Sequence, residues 1–249
     1  MAHLLDHPVI SSRYFFPRRA PLAEPFMVSV PGAELACFRS APHADGPTVL
    51  HFHGNGEVVA DWAGDLAPAL NARGVNLVLA EYRGYGGSTG TPALAAMLDD
   101  ALAVFDAVEV PASRVLVYGR SVGSIYALHV AAARQPGALV IESGISDVLA
   151  RVLLRAEPRE LGATADQLRQ AAADAVDHRA KMAAYRGRTA VLHTRGDDLV
   201  LPDNAVELAD WAGDDAELVL FDRGDHNSIW AYNGQAILDR VVALAATLF

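Results

Sequence analysis

Short apolar runs rich in β-branched residues alternate along the chain with longer, alanine-rich stretches of helical spacing. The runs predict strands at Phe26–Val30, Leu35–Arg39, Thr48–His53, Val75–Glu81, Val115–Tyr118, Ala138–Glu142, Ala190–Thr194 and Glu217–Phe221. Pro31-Gly32 separates the first two and predicts a hairpin turn. The later runs are almost wholly apolar, as strands buried on both faces of a parallel sheet are. Helices are expected between them, at Val58–Arg73, Pro92–Val108, Ser121–Arg134, Asp203–Ala212 and Ile229–Leu248. Gly74 suits the position after the first helix, and Thr91 the N-cap of the second, ahead of Pro92.

The stretch from Ser146 to Gly187 breaks this rhythm. Two helical patterns, around Asp147–Arg155 and Thr164–Ala175, carry charges throughout and stand where a short crossover would suffice. They predict a small helical cap at about 146–187, inserted in a single α/β domain spanning residues 1–249. A chain of 26.4 kDa should expose about 10,600 Å² when folded, enough burial for a core without disulfides or structural metals.

Charge and cysteine content narrow the function classes. The net charge of −10 disfavours a phosphate backbone as partner, so no nucleic acid is expected. A single cysteine, Cys37, excludes an internal disulfide and a thiolate zinc site. No apolar run approaches the roughly 20 residues of a membrane span. The opening residues Met1 to Asp6 lack a basic region followed by an apolar one, which makes the cytoplasm the expected compartment.

The strongest chemical signal is Gly119-Arg120-Ser121-Val122-Gly123, after a predicted strand and at the start of a predicted helix. A nucleophile elbow needs that context, because the turn is too tight for side chains two residues either side of the serine. A serine hydroxyl needs a base. His226, in Gly224-Asp225-His226-Asn227, follows the last strand and lies on a loop at the same sheet edge. His129 falls within a helix and His193 within a strand, where each reads as a packed residue. The base in turn needs an acid to fix its tautomer. Asp197 is the first choice, with Asp198 its close rival, and Glu142 the third candidate; Asp225 adjoins His226 and is poorly placed to face it. The loop Gly54-Asn55-Gly56-Glu57 follows the strand ending at His53, and the N–H groups of Asn55 and Val122 are the expected oxyanion donors. The lysine of a P-loop is absent, and so is the third glycine of a dinucleotide loop. Tyr82-Arg83-Gly84-Tyr85-Gly86 reads as a structural loop anchored by Arg83.

Together these motifs, from Thr48 to the end of the chain, resemble the α/β-hydrolase superfamily, most of all its small single-domain serine hydrolases of the esterase and thioesterase kind. The resemblance implies a mostly parallel, eight-stranded sheet with helices on both faces, and no metal or cofactor. It maps the nucleophile onto Ser121, the acid onto Asp197, the base onto His226 and the oxyanion loop onto Asn55. His193-Thr194 stands where the family usually has His-Gly. The implied activity is hydrolysis of an ester or thioester of a small to medium acyl substrate through an acyl-enzyme. An acyltransferase, an aminopeptidase-like amidase and an idle binding module are the alternatives. Glu57 and the acidic charge predict a preference for neutral or cationic substrates.

Overall fold

The structure, a computed structural model, describes residues 3–248. Its centre is one eight-stranded sheet: β1 (Phe26–Val30), β2 (Ala33–Ser40), β3 (Thr48–Phe52), β4 (Asn76–Ala80), β5 (Val115–Arg120), β6 (Ala138–Glu142), β7 (Arg188–Thr194) and β8 (Glu217–Phe221). Their order in space is β1-β2-β4-β3-β5-β6-β7-β8. Strands β1 and β2 form the expected hairpin, with Val30 opposite Ala33 across Pro31-Gly32, and Gly32 takes a φ of 79° that suits glycine. Strand β2 is antiparallel to β4, and all the remaining pairs are parallel.

The chain builds outward from β3 in both directions, first to β4 and then through β5 to β8. That reversal opens a crevice beyond the C-terminal ends of β3 and β5. The register puts Phe52 beside Gly119. The loop after β3 and the turn after β5 therefore emerge side by side.

Alternate residues of the central strands feed two cores. Val115, Val117, Leu139 and Ile141 pack on one face, with α3 (Ala96–Asp106) and α4 (Gly123–Arg134). Leu116, Tyr118 and Val140 pack on the other, with α2 (Val59–Asn71) and α9 (Ile229–Ala245). The accessible surface is 10593 Å², close to the value expected from mass.

Between β6 and β7 lie α5 (Val148–Leu153), α6 (Ala165–Val176) and α7 (His178–Ala184), and α8 (Asp203–Ala212) precedes β8. The N-terminal segment, where no strand or helix is expected from the pattern, carries a short turn of 3-10 helix at Leu4–Asp6 and α1 (Pro8–Tyr14). It also corrects the reading of Thr91 as an N-cap. Helix α3 begins at Ala96, and Asp6 Oδ1 accepts from the N–H groups of Ala95 (2.7 Å) and Ala96 (3.2 Å). The cap comes from a distant segment because Thr91 and Pro92 stand outside the helix. Among the described residues no helix is long and apolar enough to cross a membrane, and no group of three or more His, Cys, Asp or Glu side chains is placed to hold a metal ion.

Candidate active site

Strand β5 ends at Arg120, and the next residue takes a left-handed backbone with φ 52° at Ser121. A non-glycine residue there is strained and persists only where its surroundings fix it. The Ser121 N–H donates to the Glu142 carbonyl (2.9 Å), and α4 starts two residues later. The flanking glycines are required by space. A Cβ at Gly119 would lie 2.5 Å from the Ala127 Cβ, and one at Gly123 would lie 2.1 Å from the Phe52 carbonyl oxygen.

Three side chains from three loops meet above this turn. His226 Nε2 lies 2.9 Å from Ser121 Oγ, and His226 Nδ1 lies 2.8 Å from Asp197 Oδ2. A carboxylate at Nδ1 fixes the proton there and leaves Nε2 free to accept from the serine hydroxyl. Asp197 is buried, and its other oxygen accepts from the N–H groups of Leu199 (3.0 Å) and Val200 (2.8 Å). Burial alone would push the Asp197 carboxyl up. Hydrogen bonds from His193, His226 and the Val200 N–H outweigh it and hold the group well below the usual carboxylate range.

The other candidate acids lie elsewhere. Asp198 is exposed on the cleft wall and makes no hydrogen bond to His226. Asp225 accepts from Asn227 N–H (3.0 Å) and Ser228 N–H (2.9 Å) within its own turn. Glu142 is wholly buried beneath the site, where its oxygens accept from Arg120 Nε (2.9 Å), Trp230 Nε1 (2.8 Å) and the Tyr118 hydroxyl.

The loop after β3 is pinned from below. His53 Nε2 pairs with Glu81 Oε1 at 2.8 Å in full burial, and the Tyr82 hydroxyl donates to the His53 carbonyl at 2.7 Å. Burial disfavours the charged imidazole of His53, but Glu81 prevails and the pKa is raised. Asn55 and Val122 line the cleft, and neither backbone N–H donates a hydrogen bond among the described residues. The Asn55 side chain serves the fold separately. Its Oδ1 accepts from the Phe16 N–H (2.9 Å) and the Tyr85 hydroxyl (2.7 Å), and Nδ2 donates to the Tyr14 carbonyl. Arg83 anchors its loop through Asp100, at 2.6 and 2.5 Å.

Glu57 is committed rather than free to meet a substrate. Oε1 pairs with Arg120, and Oε2 accepts from the Gly54 N–H (2.7 Å) and Trp62 Nε1 (3.1 Å).

Two functional neighbours escaped the sequence reading. Arg120 occupies the variable position of the elbow, yet its buried guanidinium joins Glu57, Glu142 and, through Nη2, the His226 carbonyl at 2.7 Å. It fixes the backbone that carries the imidazole. His193 reaches Asp197 Oδ2 at 3.1 Å and the Val200 carbonyl at 2.7 Å. The spacing of four between His193 and Asp197 was the available signal. The cleft above these groups has a volume of about 700 Å³ and is walled by Tyr14, Phe16, Ile145 and Leu154, with Arg151 and Arg155 at its side.

Comparison with known proteins agrees with this architecture. Residues 44–170, slightly more than half of the chain, match the Hydrolase_4 family, described as serine aminopeptidase S33. Protein Rv2307c of Mycobacterium tuberculosis is 28% identical over 216 residues, covering 80% of this chain and 71% of that protein. Lysophosphatidylserine lipase ABHD12 of Bos taurus is 31% identical over 125 residues, covering 47% of this chain and 31% of the lipase. Among solved structures, mouse alpha/beta hydrolase domain-containing protein 10 superposes with a TM-score of 0.74 at 17% identity, covering 91% of this chain and all of that one. A hydrolase from Pseudomonas aeruginosa gives 0.69 at 22% identity, covering 90% of this chain and 99% of its own. An eight-stranded α/β sheet, a serine elbow at the crevice and a matching family profile lead to one assignment: this chain belongs to the serine aminopeptidase S33 family of α/β-hydrolases.

Proposed function

We propose that the protein is a serine hydrolase that cleaves an ester or thioester of a small to medium acyl substrate through an acyl-enzyme. The observation that carries the reading is the continuous hydrogen-bond chain Ser121–His226–Asp197, opening onto the cleft beside two uncommitted backbone N–H groups. His226 takes the proton from Ser121 as Oγ attacks the acyl carbonyl. The N–H groups of Asn55 and Val122 hold the developing oxyanion. His226 then protonates the leaving alcohol or thiol, and water, deprotonated by the same imidazole, releases the acid. Asp197 stabilises the imidazolium and remains ionised throughout. The segment at about 146–187 serves as the cap that shapes the acyl site, since Arg151, Leu154 and Arg155 of that segment line the cleft.

The family description raises a peptide substrate as a second reading. An aminopeptidase must anchor an α-ammonium beside the scissile bond. Glu57 is the carboxylate nearest the oxyanion loop, and its pairing with Arg120 removes it from that role. Asp198 is exposed on the cleft wall, but the same cleft is lined by the cations Arg151 and Arg155, unpaired among the described residues, which disfavours an ammonium there and favours the ester or thioester.

A fluorophosphonate probe is expected to modify Ser121 once per chain, located by mass spectrometry, and a panel of chromogenic esters of graded chain length to be turned over. Ser121→Ala should fold and lose nearly all turnover. Labelling at another residue, or none on folded protein, would overturn the reading.

A further inference from the structure

The charges around the cleft are unevenly committed. Arg13 pairs with Glu160 (2.9 Å), Arg18 with Asp61, and Arg120 with Glu57 and Glu142. Arg151 and Arg155 are different. Neither guanidinium has a hydrogen-bond or carboxylate partner among the described residues, and both line the cleft that holds Ser121 and His226. They stand four residues apart on one turn of helical chain, since the Arg155 N–H donates to the Val152 carbonyl at 2.9 Å. Both side chains line the same cleft.

Their placement is built. The Arg155 guanidinium lies 5.2 Å over the Phe16 ring, a cation–π contact. The Phe16 N–H is tied to Asn55 Oδ1, so the stacked cation stands next to the oxyanion loop. The Arg155 carbonyl accepts from Arg13 Nη1 at 3.1 Å, which fixes the end of this turn against α1. Of the carboxylates nearby, Asp147 caps α5 through the Ala150 N–H, Glu160 holds Arg13, and Glu57 holds Arg120. Asp198 is the uncommitted acid on the wall. Two free cations thus face one free anion, on a chain whose net charge is −10.

We propose that Arg151 and Arg155 form a subsite for an anionic oxyacid group, carboxylate or phosphate, carried by the ester that Ser121 attacks. The proposal deepens the serine-hydrolase reading and rests on it for the ligand's being a substrate. It reverses the preference for neutral or cationic substrates expected from composition, because the local wall, and not the summed charge, meets the ligand. Guanidinium groups suit such a subsite, because their planar donor fork matches a carboxylate or phosphate and stays charged at any working pH.

The binding test uses Ser121→Ala protein, so that no turnover is needed. Octyl phosphate and octanoate are titrated calorimetrically against 1-octanol as the neutral reference. The anions are expected to bind about tenfold to a hundredfold tighter than in an Arg151→Gln/Arg155→Gln derivative, the range for hydrogen bonds to charged groups. Octanol should bind both alike. An Arg151→Lys/Arg155→Lys derivative should keep part of the gain, which guards against a loss caused by misfolding. Equal anion affinity in the parent and the glutamine derivative, or no anion binding at all, overturns the subsite.

Kinetics on the otherwise native chain then locate the anion. Mono-4-nitrophenyl suberate against 4-nitrophenyl octanoate tests a carboxylate on the acyl side. Octanoyl glycerol 3-phosphate against monooctanoyl glycerol tests a phosphate on the leaving group. The anionic member of one pair is expected to win in kcat/KM, with the advantage lost in the glutamine derivative. Neutral members winning both pairs would contradict the proposal. Fluorophosphonate labelling judges the hydrolase reading separately, so the two can fail independently.

Discussion

Arg120→Met is the most demanding test of how the site is held. The guanidinium is 6% exposed and Glu142 is fully buried, so the substitution strands a carboxylate whose remaining partners, Tyr118 and Trp230, are neutral. Removing one partner of a buried pair costs about 3–5 kcal/mol, against a total domain stability of about 5–15 kcal/mol. Glu57, half-buried, can recover water and should contribute little of that loss. The sign of the pH dependence follows from Glu142. Burial already raises its pKa, and Arg120 is the chief influence holding it down. Without Arg120 it rises further above its unfolded value, so the native state binds more protons than the unfolded one. Stability then falls as pH rises through that interval, and it recovers as pH falls toward the ordinary carboxylate range. Urea unfolding followed by tryptophan fluorescence at about pH 5.5 and pH 8 reads both effects. The variant should lose about 3–5 kcal/mol at the higher pH and distinctly less at the lower. Arg120→Met/Glu142→Gln should regain much of it, a coupling between residues in direct contact. A loss below about 1 kcal/mol, or one independent of both pH and Glu142, would refute the account. In the folded fraction kcat should also drop, because the His226 carbonyl loses its donor.

Other substitutions probe single contacts. Asp197→Asn should lower kcat by about 10⁴ through loss of tautomer control, while Asp198→Asn stays within a few-fold; steady-state rates with one chromogenic ester decide it, and the reverse order would move the acid. Gly123→Ala forces a Cβ against the Phe52 carbonyl and should cost about 1–3 kcal/mol or more in a denaturant melt; an unchanged midpoint would contradict the packing. His53, whose pKa is raised by Glu81, should stabilise the fold fully below its unfolded pKa and lose that contribution as pH rises through the folded one; the stability gap to His53→Gln should shrink across that rise, and a widening gap would be wrong in sign. Burial pushes the Cys37 thiol up to about 12, so iodoacetamide at pH 8 should modify it only after denaturation, as mass spectrometry would show.

Much of the sheet was legible because its central strands are apolar on both faces: Val115 to Tyr118 and Ala138 to Ile141 are buried throughout, and each stands in the sequence as an unbroken run. Ser121 was legible because a serine at positive φ demands glycines around it, and those glycines leave a mark in the sequence. The placement of His226 beside it followed from strand order. What stayed hidden depends on contacts distant in sequence. The cap on α3 comes from Asp6, 89 residues before Ala95, and no local pattern announces it. Arg120 sits where the elbow motif tolerates any residue, and its meaning depends on carboxylates from the loop after β3 and the end of β6. The commitment of Glu57 was hidden for the same reason: it pairs with Arg120, 63 residues away.

Residues 4–17 join parts of the chain that lie far apart. Asp6 holds the start of α3, Arg13 reaches Glu160 across 147 residues, and Phe16 rests on Asn55 across 39. Contacts closed over such separations carry a loop entropy cost that grows with length. The segment therefore acts as a clasp that ties α3, the β6–β7 insertion and the loop after β3 together. Its release would unfasten the wall beside Asn55 while leaving the central strands paired, so the cleft can open locally at less cost than the sheet.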